Sequence, residues 1–184
     1  MAGDGGGAGR GGEERDEAVT VVAYDAQWPA RFAAERALLH AAIGAQAVGG
    51  IHHVGSTSVP GLDAKPVIDI LVGVDDLAAS RALFGAVEGL GYHYAPYRTE
   101  EMHWFCKPSR AHRTHHLHLI PAASPRFREE LEFRDALRAD PSLAARYAQL
   151  KHELAGRHRE DREAYTEAKS EFVEAVLQGL AGET

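Results

Sequence analysis

Along Arg113-Thr114-His115-His116-Leu117-His118-Leu119-Ile120, apolar and polar side chains alternate with a period of two, the pattern of a strand with two unlike faces. Leu117 and Leu119 fall on one face; His116 and His118 share the other. Pro66 to Val74 reads differently. Val67, Ile68, Ile70, Leu71 and Val72 make it nearly continuous in apolar character, as a strand covered on both sides requires, with Asp69 its one charge before Asp75. Gly50–Val54, Tyr92–Tyr97 and Met102–Lys107 complete a set of five strands. Ordered structure is expected to begin at Val19–Ala23. Pro29 suits the first turn of a helix that continues through Phe32, Leu38, Leu39 and Ile43. Asp75-Asp76 offers an N-cap to a helix through Leu77, Leu83, Phe84 and Leu90, which Gly91 ends.

From Pro125 to Leu180 the period changes to that of helices, with Phe127, Leu131, Leu137, Leu143, Tyr147, Leu150, Leu154, Phe172, Val176 and Leu177 as apolar positions. Asp140-Pro141 restarts a helix, and the alternating charges of Arg157 to Glu163 read as a solvated helix face. A sheet core over residues 19–121 followed by a helical part over 125–180 makes an α+β or α/β domain, the sheet flanked by helices. Residues 1–18, rich in glycine and charge, are expected to form a disordered tail.

Composition narrows the function classes. With 184 residues of which 45% are hydrophobic, the chain can bury one substantial core, the size of a single domain. A formal net charge of −7 argues against a nucleic-acid surface, which needs clustered positive charge. No apolar run approaches the roughly 20 residues that span a bilayer, and the start lacks a signal-peptide core, so a cytoplasmic location without membrane contact is expected. Cys106, the single cysteine, rules out an internal disulfide and a cysteine-based zinc cage.

Candidate chemistry concentrates between residues 53 and 72. Gly55 can adopt a backbone conformation closed to other residues, and Ser56, Thr57 and Ser58 bring hydroxyls and closely spaced N–H donors, a turn able to wrap phosphate oxygens. Pro60-Gly61 fits the centre of a type II turn. Lys65 follows, placed to neutralise an anion. Asp69 in its apolar strand must be paired, hydrogen-bonded or on a metal. If the histidine strand lies beside it, Asp69, His116 and His118 make a two-histidine, one-carboxylate metal site; otherwise the imidazoles are ordinary sheet-surface residues. Imidazoles suit zinc, iron, nickel or manganese better than magnesium. His53 and His103 are further candidates for the site, His52 is expected to point away, and Arg113 either clamps a phosphate or forms a surface ion pair.

These blocks resemble the GrpB family, a branch of the nucleotidyltransferase-fold superfamily, over nearly all of residues 19–180. The resemblance rests on Tyr24-Asp25-x-x-Trp28-Pro29-x-x-Phe32, on the Gly-Ser-Thr-Ser-Val-Pro-Gly-Leu turn at 55–62, and on Lys65-Pro66-x-Ile68-Asp69-Ile70. It extends through the histidine strand to Phe133-Arg134-Asp135, Tyr147-x-x-Leu150-Lys151 and Tyr165-x-x-x-Lys169. It implies a nucleotidyltransferase-like mixed sheet and metal-dependent nucleotidyl or phosphoryl transfer, with Asp69 and Lys65 in catalytic positions. Gly55, Ser56, Thr57, Ser58, Lys65, Arg113, Lys151, Tyr165 and Lys169 would hold a nucleotide or other phosphorylated small molecule. The divalent metal would be magnesium or manganese, with zinc the choice of the histidines. In the superfamily a second acid stands two residues after the first, sharing its face; here that residue is Leu71. Two alternatives follow: a catalytically degenerate module that binds or stabilises a partner enzyme, as in relatives fused to dephospho-coenzyme A kinase, or a metal-dependent hydrolase.

Overall fold

A computed structural model describes residues 17–182. The expected tail over 1–18 lies outside the described residues except for Glu17 and Ala18. Five strands form one mixed sheet in the order β1-β2-β5-β4-β3: β1 (Gly50–Val54), β2 (Ile68–Val74), β3 (His93–Tyr94), β4 (His103–Pro108) and β5 (Arg113–Pro121). β2 and β5 are parallel, and every other pair is antiparallel. The strand read from Pro66 begins at Ile68, and the one read over Tyr92–Tyr97 shrinks to two residues.

Register decides what each face carries, because paired residues project to the same side. One row across the sheet runs Val54, Asp69, His116, Cys106, and the next runs His52, Leu71, His118, Trp104. The opposite face carries Ile51, His53, Ile70, Val72, Leu117, Leu119 and Phe105. All but His53 join the main core there with Leu39 and Ile43 of α1 (Trp28–Ile43) and Val87 of α2 (Phe84–Glu88). α1 has Pro29 in its first turn as expected, but Leu38 is half exposed. The helix expected after Asp75-Asp76 is a 3-10 segment, Ala79–Leu83, running into the short α2, with the Asp76 carboxylate accepting from the Ala79 N–H at 2.7 Å.

The Asp69 face is covered by the helical part: α3 (Pro125–Ala139), α4 (Pro141–Arg157), α5 (Arg162–Glu167) and α6 (Ser170–Gly182). Phe127 of α3 packs with Val54, Leu71, Met102 and Ile120. Asp140 caps α4 through the N–H groups of Ser142 and Leu143, as Asp140-Pro141 foretold. Arg157 to Glu163 is not a helix face, since α4 ends at Arg157 and the chain turns before Asp161 caps α5. The first described residues strap this turn to the sheet. Val19 N–H donates to Arg159 O at 2.7 Å, Glu17 N–H to Ala111 O, and Arg162 Nε to Glu17 O, while Val19 is buried against Leu154 and Tyr165. No helix among the described residues is long and apolar enough to cross a membrane.

Candidate metal centre and its cationic wall

Asp69 and His116 are cross-strand partners on β2 and β5, and His118 stands two residues along the same face. Each of the three offers a ligand atom, and these atoms lie within 4.8 Å of one another. His116 Nδ1 and Asp69 Oδ1 are 2.9 Å apart. His116 Nε2 and both ring nitrogens of His118 are buried without a hydrogen-bond partner, a costly state that a bound cation would relieve. The donor set of two imidazoles and one carboxylate, together with these orphaned nitrogens, fits a divalent transition metal better than magnesium. Burial lowers the pKa of His118, against the opposing charges of Glu130 and Asp69, which keeps the ring neutral as a ligand must be. For Asp69 burial opposes ionisation, but the His116 hydrogen bond and the charges of His116, His118 and Lys169 outweigh it and hold the carboxyl below its usual range.

Beside this triad stands a wall of lysines and tyrosines drawn from three segments. Lys65 Nζ lies 5.6 Å from the centre of the Tyr165 ring, and Lys169 Nζ lies 4.3 Å from it. Lys151, almost fully buried, donates to Asp63 O and sits 4.9 Å from the Tyr147 ring centre. Burial and the neighbouring Lys65 lower Lys169 to about 8, with Asp69 opposing; burial and Lys169 lower Lys151 to about 7, with Asp63 opposing. Ammonium groups held close enough to depress one another are what an anion would stabilise. Tyr165 and Lys169 do not share a helix face as expected, because α5 ends at Glu167 and Lys169 lies in the link to α6; the side chains still meet.

The hydroxyl turn serves the site only in part. Gly55 has φ +67°, and Ser56 lies close enough to the Tyr147 hydroxyl to pull its pKa down against burial. Thr57 and Ser58 are buried, and their hydroxyls donate to Val67 O at 3.1 Å and Gly55 O at 2.6 Å. One bond closes the turn and the other ties it to the chain ahead of β2, so the two hydroxyls are spent within the fold and do not face a ligand, which corrects that part of their expected role. His53 is likewise misplaced by sequence parity. Antiparallel register sets Val54 opposite Asp69, so His53 faces the other side, stacked on Phe32 and bonded to Thr57 Oγ1 at 3.0 Å, while His52 shares the Asp69 face. His103 is buried with Nε2 2.9 Å from Leu77 O, on the face away from Asp69. Arg113 stacks on Trp104 at 5.1 Å, and Trp104 lies 5.0 Å from the His116 ring; the guanidinium is thus one ring removed from the triad.

Tyr147 is the residue that sequence reasoning passed over as core. Its ring is stacked on Phe172 and edge-on to Phe133, and its hydroxyl lies near Ser56. Burial, then Tyr165 and Asp69, raise its pKa far above the ordinary phenol range. The signal was present: Tyr147 and Lys151 stand four apart on α4 and so share a face.

Together these observations define a class, an α+β protein with a mixed sheet whose covered face carries a two-histidine, one-carboxylate constellation walled by lysines. The family follows from comparison. The chain belongs to the GrpB protein family, whose family model matches residues 18–179. It is 44% identical over 168 residues to a UPF0157 protein of Pseudomonas aeruginosa, covering 88% of this chain and 67% of that one. It is 34% identical to the glutamate-rich protein GrpB of Alkalihalophilus pseudofirmus, covering 88% of this chain and 95% of the relative. Among solved structures, the crystal structure of conserved protein GrpB from Enterococcus faecalis superimposes with a TM-score of 0.78 at 30% identity, covering 87% of this chain and 96% of that one.

Proposed function

We propose that the cleft between the Asp69 face and α4–α6 binds a divalent transition metal together with a nucleotide or other phosphorylated small molecule, and supports nucleotidyl or phosphoryl transfer. The observation that carries this reading is the juxtaposition of Asp69, His116 and His118 with Lys65, Lys151 and Lys169. The first three are a cation site and the others an anion wall, linked by the mutual influence of Asp69 and Lys169. A metal held there would act as a Lewis acid on a phosphoryl oxygen. The protein's own groups do the rest. Lys65 and Lys169 neutralise phosphoryl charge, Tyr147 and Ser56 offer a hydroxyl pair at the mouth of the turn, and Gly55 keeps the turn tight against Asp69.

Leu71 bears on the type of chemistry. Fully buried on the Asp69 face, it fills the place of the second acid with hydrocarbon, so the site is built for one metal. That favours, as a second reading, a single-metal hydrolase in which water is the acceptor. Calorimetric titration of ATP, CTP, GTP and UTP, each with manganese and with zinc, tests the first reading; saturable heat that disappears in Asp69→Asn supports it. Absence of heat with every pair overturns it. Hydrolysis of a bound nucleotide without transfer to an added acceptor would select the second.

A further inference from the structure

The open edge of the sheet carries a second cationic feature that neither the metal constellation nor the lysine wall uses. β1 is an edge strand, and a recess of about 310 Å³ beside it is lined by Phe32 and Arg36 of α1, His52 and His53 of β1, and Arg134 and Arg138 of α3. Arg134 pairs with Asp135 through Nε at 2.7 Å and Nη2 at 3.0 Å, and its Nη1 donates to His53 O at 3.3 Å. Arg138 spends Nε and Nη2 on the carbonyl of Ser58, at 3.0 and 2.7 Å, and meets no carboxylate within ion-pair distance among the described residues. Arg36 is exposed and likewise without an acid partner there. Burial, with Arg138 and Arg134 adding to it against Asp69, lowers His53 to about 4, so the ring adds no charge. Three guanidinium groups against one carboxylate leave two positive charges in excess, on a chain whose net charge is −7.

We infer that this recess is a binding site for a phosphoryl dianion, separate from the Asp69 cleft. Guanidinium forks match phosphate oxygens in pairs, and a phosphate monoester near neutral pH carries close to the two charges that the recess lacks. Since Arg134 and Arg138 also hold the carbonyls of His53 and Ser58, an anion here would be gripped by side chains fixed to both sides of the Gly55-Ser56 bend. The inference stands whether or not the cleft binds metal or nucleotide.

Backbone amide NMR of the full chain titrated with pyrophosphate, and separately with citrate, tests it. Pyrophosphate is expected to shift the Gly50–His53 amides saturably, with at least fivefold weaker binding in Arg36→Ala, an exposed position whose loss removes no hydrogen bond or ion pair among the described residues. Asp69→Asn, which disables the cleft, is expected to leave that titration unchanged. Binding of equal strength in Arg36→Ala and Arg138→Lys would overturn the assignment. So would loss of the Gly50–His53 shifts in Asp69→Asn, or citrate binding as tightly as pyrophosphate.

Discussion

Gly55 and Asp69 are in such close contact that a Cβ on Gly55 would stand 2.4 Å from Asp69 Oδ2. The positive φ of Gly55 and the approach of the carboxylate are two aspects of one constraint: the bend must pass directly over the acid. Its ψ of −176° puts it in a region essentially reserved for glycine. Gly55→Ala is therefore expected to cost about 1–3 kcal/mol from backbone strain alone, and to displace the Asp69 carboxylate as well. Urea denaturation and metal titration of the same variant check both effects.

His118 separates stability from ligation. Its two buried, unpartnered nitrogens burden the metal-free fold, so His118→Leu is expected to stabilise the metal-free protein by about 1–3 kcal/mol. The same change should abolish the thermal shift produced by zinc or manganese, which for the natural residue would amount to about 2.7 kcal/mol at a hundredfold excess over Kd. Differential scanning calorimetry with and without metal reads both.

The lysine wall has a pH signature of opposite sign in binding and in folding. Lys151 near 7 and Lys169 near 8 are protonated below those values, so affinity for a phosphorylated ligand should fall as pH rises from 7 to 9. Unfolded lysines keep their protons until about pH 10.4. Between 7 and 10 the unfolded chain thus binds more protons than the folded one, and stability without ligand should rise with pH over that window. Lys151→Met should flatten much of the stability slope. Urea midpoints and calorimetric affinities across pH 7–10 are the measurements.

Leu71→Asp places a second acid two residues from Asp69 on the same strand face, but into a position closed by Val54, Met102, Ile120 and Phe127. It is expected to destabilise by about 3–5 kcal/mol and to create no magnesium site. A magnesium-induced thermal shift in this variant would show that the surrounding side chains can yield to a second metal.

Tyr147→Phe keeps the ring packing against Phe133 and Phe172 and removes only the buried hydroxyl near Ser56. A loss of about 1 kcal/mol in stability is expected. If the hydroxyl also contacts ligand, nucleotide affinity should fall more than stability does; equal losses would confine it to the turn.

Much of this was legible in the sequence, and for physical reasons. Asp69, His116 and His118 converge because strand side chains alternate and because β2 and β5 are neighbours in exact register, so a period of two in each strand sufficed to put them on one face. The errors mark where strand periodicity stops. His53 was given the parity of Gly55, but parity within one strand does not say which residue faces Asp69; the pairing of Val54 with Asp69 does. Thr57 and Ser58 look like ligand hydroxyls in sequence, yet both are buried, one donating to the Val67 carbonyl ahead of β2 and the other back to Gly55 O. Tyr147 looked like core because its ring is core. Only tertiary packing reveals that its hydroxyl reaches the bend.

The short strap formed by Glu17 to Val19 has a practical corollary. It pins the link ahead of α5, and with it Tyr165 and the amine that leans on its ring, to the β4–β5 hairpin. A chain trimmed to begin at Ala23 would keep every metal-capable side chain but release the moorings of one lysine arm. On the proposed reading, shortened versions of this protein should therefore keep a zinc or manganese thermal shift while gripping a phosphorylated ligand less firmly at Lys169.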